Sequence, residues 1–74
     1  MNRYDRNYYN AIHVEHGWAV SAQFKGWLEG EDLSEMNPNA LRYIAETLRT
    51  FDDLEAQEYA NDIDRFLVTS IAEA

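Results

Sequence analysis

The stretch YYNAIHVEHGWAVSAQF, residues 8–24, decides how this chain folds. From Trp18 to Phe24 the larger apolar side chains, Trp18, Val20 and Phe24, occupy even positions, the period of two expected of a half-buried strand. Tyr8, Ile12 and Val14 upstream are even as well. Glu15-His16-Gly17 separates the two runs, and the loop length fixes their register, because a slip of one residue turns every side chain to the opposite face. A His16-Gly17 loop sets Val14 against Ala19 and Ile12 against Ser21, which mixes the faces. A loop that includes Glu15 sets Val14 opposite Trp18, Ile12 opposite Val20, Asn10 opposite Ala22 and Tyr8 opposite Phe24. Only this register is coherent, and it gives Gly17 the left-handed position of a type I turn with a bulge. The expectation is an antiparallel β-hairpin over about residues 8–25, left at Gly26 and Gly30. A competing reading takes Tyr4, Tyr8 and Ile12 as one stripe of a short amino-terminal helix at spacing four, but Ile12-His13-Val14 continues more naturally as strand.

Downstream the pattern turns helical. Asn37-Pro38 is a helix start, with asparagine at the cap and proline at the first helical position, where its missing N–H is not needed. Leu41, Ile44, Ala45, Leu48 and Phe51 then recur at spacings of three and four, giving a helix over about residues 38–51. A second helix, over about 53–72, starts at Asp52-Asp53, where Asp52 and Glu55 have the spacing of a capping box. Its apolar face is Ala56, Tyr59, Ala60, Ile63, Phe66, Leu67 and Ile71. Between hairpin and helices, Asp32–Met36 reads as a single turn with Leu33 and Met36 inward. A lone hairpin is barely stable in water, so its even-numbered face must pack on the helical pair. The predicted fold is α+β with ββαα order, one domain over residues 1–74, as a monomer or as a homodimer paired across the open sheet edge.

Composition narrows the function. A chain of 74 residues supports one small core, and at 46% hydrophobic residues it is too apolar for a disordered acidic tail. It has no cysteine, hence neither a disulfide nor a thiolate metal site. Trp18–Leu28, the most apolar stretch, is broken by Ser21, Gln23, Lys25 and Gly26 and falls short of the ~20 apolar residues of a membrane span. The polar amino terminus lacks the layout of a secretory signal, so a cytoplasmic protein is expected.

Catalytic and metal motifs are missing. His13 and His16 diverge in the hairpin register, and no further ligand converges on them for zinc. The acidic run from Asp52 to Asp64 lacks the glycine and ligand spacing of a calcium loop. Ser21, Ser34 and Ser70 have no base partner, and no glycine-rich phosphate loop is present, so neither an enzyme nor a cofactor is expected.

The charge distribution is the functional signal. Residues 1–28 hold Asp5 and Glu15 against Arg3, Arg6 and Lys25, a net of +1; the remaining twelve of the fourteen acidic residues face Arg42, Arg49 and Arg65, a net of −9. That half opposes direct binding to nucleic acid or anionic lipid and suits a basic partner. Glu55, Glu58 and Asp62 form a ridge along the last helix, rising roughly 4.5 to 6 Å per step. Phosphates along a nucleic-acid strand repeat on a comparable scale. Glu46, Glu29, Glu31, Asp32 and Glu35 widen the acidic patch, Asp52 and Asp53 are expected partner contacts beside the ridge, and Tyr9 and Tyr43, off the apolar faces, serve as aromatic anchors beside the arginines. Trp18, Phe24, Phe51, Tyr59 and Phe66 are assigned to the core.

In size, acidity and lack of catalytic motifs the whole chain resembles the small anti-CRISPR and anti-restriction inhibitor proteins of phages and mobile elements. The resemblance implies an acidic inhibitor that occupies the basic nucleic-acid-binding surface of a host defence complex, such as a CRISPR effector, as a DNA mimic. The alternative is a small adaptor or regulatory subunit that docks through the hairpin edge and the Tyr/Arg surface.

Overall fold

Residues 8–24 are helical from end to end, with Gly17 as the one interruption, in the computed structural model, which describes the backbone of residues 3–73 and the side chains of residues 6–69. Helices α1 (Arg3–His16) and α2 (Trp18–Leu28) flank that glycine. A 3₁₀ turn over Leu33–Glu35 follows, then α3 (Pro38–Leu48) and α4 (Leu54–Glu73). No strand occurs among the described residues, so the ββαα expectation and its hairpin over 8–25 fail. The sheet edge proposed for dimer pairing goes with them.

The cause lies in the numbering of the apolar residues. Tyr8, Ile12, Val20 and Phe24 are spaced by multiples of four, which fits an even-numbered strand face and also a helical stripe. Val14 and Trp18 belong to the strand pattern alone, and they are 85% and 72% exposed. Ser21 and Trp27 belong to the helical pattern alone, and Ser21 is fully buried while Trp27 packs on the core. Two short helices satisfy their own backbone hydrogen bonds, whereas an isolated hairpin leaves two unpaired edges.

Gly17 has φ 93° and ψ 173°, a region open essentially to glycine alone. Its N–H donates to the His13 carbonyl at 2.9 Å, closing α1, and its carbonyl accepts the Ser21 N–H at 3.2 Å, opening α2. The positive φ expected at this position is therefore present, but it breaks a helix instead of turning a hairpin. Gly26 lies inside α2, and Gly30, at φ 109°, ends it. The Glu31 N–H returns to the Gly26 carbonyl and the Gly30 N–H to the Trp27 carbonyl, both at 3.0 Å, the paired bonds of a Schellman stop.

The third helix starts as expected. Asn37 accepts the Asn39 N–H at 2.8 Å, with Pro38 in the first turn, and the Asn37 N–H is itself bound by the Gln23 side chain of α2 at 3.0 Å. The helix ends at Leu48, and residues 49–51 continue as turn, leaving Phe51 packed on the core. At α4 the cap is Asp53, one residue later than the capping-box reading, accepting the Ala56 N–H at 2.9 Å. The turn before α3 is as expected, with Met36 buried and Leu33 packed inward.

α3 touches each of the other three helices and buries Ala40, Leu41, Ile44, Ala45, Thr47 and Leu48. Ala56, Ala60 and Ile63 of α4 meet it, with Tyr59, Phe66 and Leu67 at the margin. Tyr8, Phe24, Trp27, Phe51 and Tyr59 form an edge-to-face ring cluster, with centroids 4.9 Å apart for Tyr8–Phe51 and 5.3 Å for Trp27–Tyr59. Such pairs contribute about 0.5–1.5 kcal/mol each beyond burial, a large term for a chain this small. Trp18, assigned to the core by sequence, takes no part in it. The side chains of Arg3, Tyr4, Ser70 and Ile71 lie outside the described residues. No described helix is long and apolar enough to cross a membrane.

Candidate functional site

The charge division of the sequence coincides with a structural one. Its near-neutral part ends at Leu28, the last residue of α2, so α1 and α2 carry the +1 and everything after them the −9. The helical spacing of α4 holds Ala56, Ala60 and Ile63 in the core, and Glu58 and Asp62 consequently lie exposed on another side.

The acidic residues are not equivalent. Glu58 has no ion pair among the described residues, whereas Asp62 is 3.8 Å from Arg65, with both side chains more than half exposed. Glu55 is half-buried and accepts the Tyr59 hydroxyl at 3.4 Å. Asp52 is exposed beside the cap. Asp53 is a structural group: Oδ1 accepts both the Tyr8 hydroxyl at 2.6 Å and the Ala56 N–H. These bonds, the tyrosine first, hold its carboxyl below the usual carboxylate range. Asp64 is likewise engaged, by Arg49, which also reaches Asn61 at 3.2 Å and so clips the end of α3 to α4.

The remaining expected contacts lie on other elements. Glu46 shares a shallow cleft of about 150 Å³ with Glu15, His16, Thr47 and Thr50. Tyr43, one turn earlier on α3, is 45% exposed and stacks on the His16 ring at 4.8 Å. Tyr9 is half-buried, lies nearly parallel to the His13 ring at 6.1 Å, and borders a cleft with Arg6, Asn10 and Lys25. The eight residues expected to bind a partner therefore divide among the α4 ridge, the α1–α3 cleft and the α1–α2 cleft.

Both histidines tie helices together. The Ser21 hydroxyl donates to the Trp18 carbonyl, so in the 3.1 Å contact between His13 Nδ1 and Ser21 Oγ the ring nitrogen is the donor. By the same logic Thr47 donates to the Tyr43 carbonyl, and His16 Nε2 donates to Thr47 Oγ1 at 2.9 Å. No three His, Asp or Glu side chains among the described residues converge as a metal site.

Two features escaped the sequence reading. Val14 and Trp18 stand out on either side of Gly17 as an apolar corner, and Arg6 and Lys25 meet across one cleft. Helical spacing applied to residues 8–28 would have revealed the first, since Val14 and Trp18 fall off the Tyr8, Ile12, Ser21, Phe24 stripe; the second depends on how α1 packs against α2. Comparison of the chain with protein families, curated proteins and solved structures finds no match.

Proposed function

We propose that this chain is an inhibitory binding protein whose acidic surface occupies the basic nucleic-acid-binding surface of a partner protein and keeps nucleic acid off it. The supporting observation is the acidic side of α4, with Glu58 and Asp62 exposed along it, half-buried Glu55 one turn before Glu58 and exposed Asp52 just ahead of the helix, in a half of the chain carrying −9. A surface built to hold phosphates already presents lysine and arginine side chains, so carboxylates at a similar repeat gain steering and complementarity with little rearrangement. Asp53 is removed from the contact set because its carboxylate is engaged within the fold. A host defence complex in the cytoplasm, such as a CRISPR effector, fits this chemistry, in line with the character the chain shares with small phage inhibitors.

The experiment has two steps. The immobilised chain is used to recover partners from a host lysate, and the recovered protein is then tested for binding in the presence of its nucleic acid. Mutual exclusion, with binding that weakens steeply from low to physiological salt, is expected. One partner that holds both at once without loss of affinity for either rejects the mechanism.

The exposed Val14 and Trp18 favour a second reading, an adaptor that docks through the α1–α2 corner. Its binding would be insensitive to salt and lost in Trp18→Ala.

A further inference from the structure

We infer that the cleft between α1 and α2 bordered by Arg6, Tyr9, Asn10 and Lys25 binds a small organic anion, a carboxylate or phosphate carried on an apolar or ring-shaped body. The inference is independent of the acidic ridge. The cleft is an open groove of about 360 Å³, at the lower end of the range for small-molecule sites.

Its charge is unusual for this chain. Acidic residues outnumber lysine and arginine by fourteen to six, so a cation has carboxylates to choose from. Arg49 and Arg65 pair with Asp64 and Asp62. Arg6, like the exposed Arg42, has no ion pair among the described residues, and Lys25 has only the exposed Glu29 at 3.9 Å; Arg6 differs from Arg42 in sharing a cleft with a second cation. Folding brings these two like charges from separate helices to the walls of one cleft, an arrangement that an anion between them would stabilise.

The four side chains differ in what they supply. Arginine offers a planar fork that fits both oxygens of a carboxylate or phosphate, and lysine a compact point charge. Tyr9, its ring aligned against His13, gives a flat apolar wall for the body of the ligand, and the Asn10 amide can donate or accept at the rim.

Amide-resolved NMR titration of the full chain with sodium benzoate, phenyl phosphate and inorganic phosphate tests this, with sodium chloride as the control. Benzoate or phenyl phosphate should give saturable shifts centred on Arg6, Tyr9, Asn10 and Lys25, half-complete near or below about 1 mM. The stronger of the two probes identifies the source as carboxylate or phosphate. Arg6→Ala and Lys25→Ala, both at exposed positions, should each weaken binding about tenfold while the spectrum stays dispersed. Inorganic phosphate should bind more weakly than either ring-bearing probe. Shifts that do not saturate by about 10 mM, that chloride reproduces, or that persist in a variant carrying both Arg6→Ala and Lys25→Ala overturn the proposal.

Discussion

The hydroxyl of Tyr8, a buried ring in α1, donates a 2.6 Å hydrogen bond to Asp53, the residue that caps α4. Tyr8→Phe keeps the ring against Phe51 and Tyr59 but removes the hydroxyl donor from that carboxylate and leaves only backbone N–H donors on it. The melting temperature at neutral pH should fall by a few degrees. The Asp53 carboxyl, followed by carbon-detected NMR, should titrate at higher pH than in the parent. An unchanged titration would show that the bond does not form in solution.

The same pair has a pH signature. The folded-state pKa of Asp53 is depressed, so the unfolded chain takes up the proton more readily. The stabilisation is complete above the ordinary carboxylate pKa of about 4 and is lost as the pH falls through the lower folded value. Acidification also carries the chain from a net charge of −8 through zero near pH 4.4 to a net positive charge, but it does so almost equally in parent and variant. The stability difference between parent and Tyr8→Phe in urea should therefore shrink from pH 7 to pH ~2. A difference that stays constant would refute the linkage.

At Gly17 an added Cβ would meet nothing within 4 Å, so any cost of substitution is in the backbone. Gly17→Ala should destabilise the fold by about 1–3 kcal/mol, the usual range for a residue held in such a region. A synthetic chain with D-alanine there should melt at or above the parent, because φ 93° and ψ 173° are ordinary extended values for a D residue. Equal melting of the two alanine epimers would contradict the observed conformation.

Gly26 is the opposite case. It lies within α2, and only the carboxyl end of Glu31 occupies the space of a Cβ. That flexible group can swing into solvent, so Gly26→Ala should stabilise the protein by up to about 1 kcal/mol through helix propensity and a less flexible unfolded chain. Calorimetry decides the sign.

For the ridge, Glu58→Lys with Asp62→Lys reverses two exposed charges without touching the Asp53 cap or the Glu55–Tyr59 contact. Melting should stay near the parent value, and affinity for a basic partner should drop at least tenfold at low salt. Full binding by a well-folded double variant would rule out the ridge, and loss in Trp18→Ala instead would favour the apolar corner.

The helices of the second half were legible because each carries one periodicity and a local start signal. Asn37 and Pro38 announce α3 through bonds within two residues of the cap. Asp52 and Asp53 offered equivalent caps, and the choice of Asp53 coincides with its bond to Tyr8, a residue remote in sequence. Residues 8–24 misled because spacing by four serves two periods at once, and only the burial of Ser21 and the exposure of Val14 and Trp18 separate them. Of the expected contacts, Glu58 and Asp62 followed from the helical face of α4. The meeting of Arg6 and Lys25 depends on how α1 packs against α2, which a strand register cannot produce.

The position of α3 also bears on how fast the chain finds its fold. The helix that touches all the others occupies residues 38–48, near the middle of the chain, so most of its contacts close loops of half the chain or less. Low contact order of this kind goes with folding in microseconds to milliseconds. The Tyr8–Asp53 bond spans 45 residues and lies outside that economy, since closing its loop costs more entropy than the local steps. It should form after the rate-limiting barrier, acting as a latch that slows unfolding while leaving the folding rate nearly unchanged.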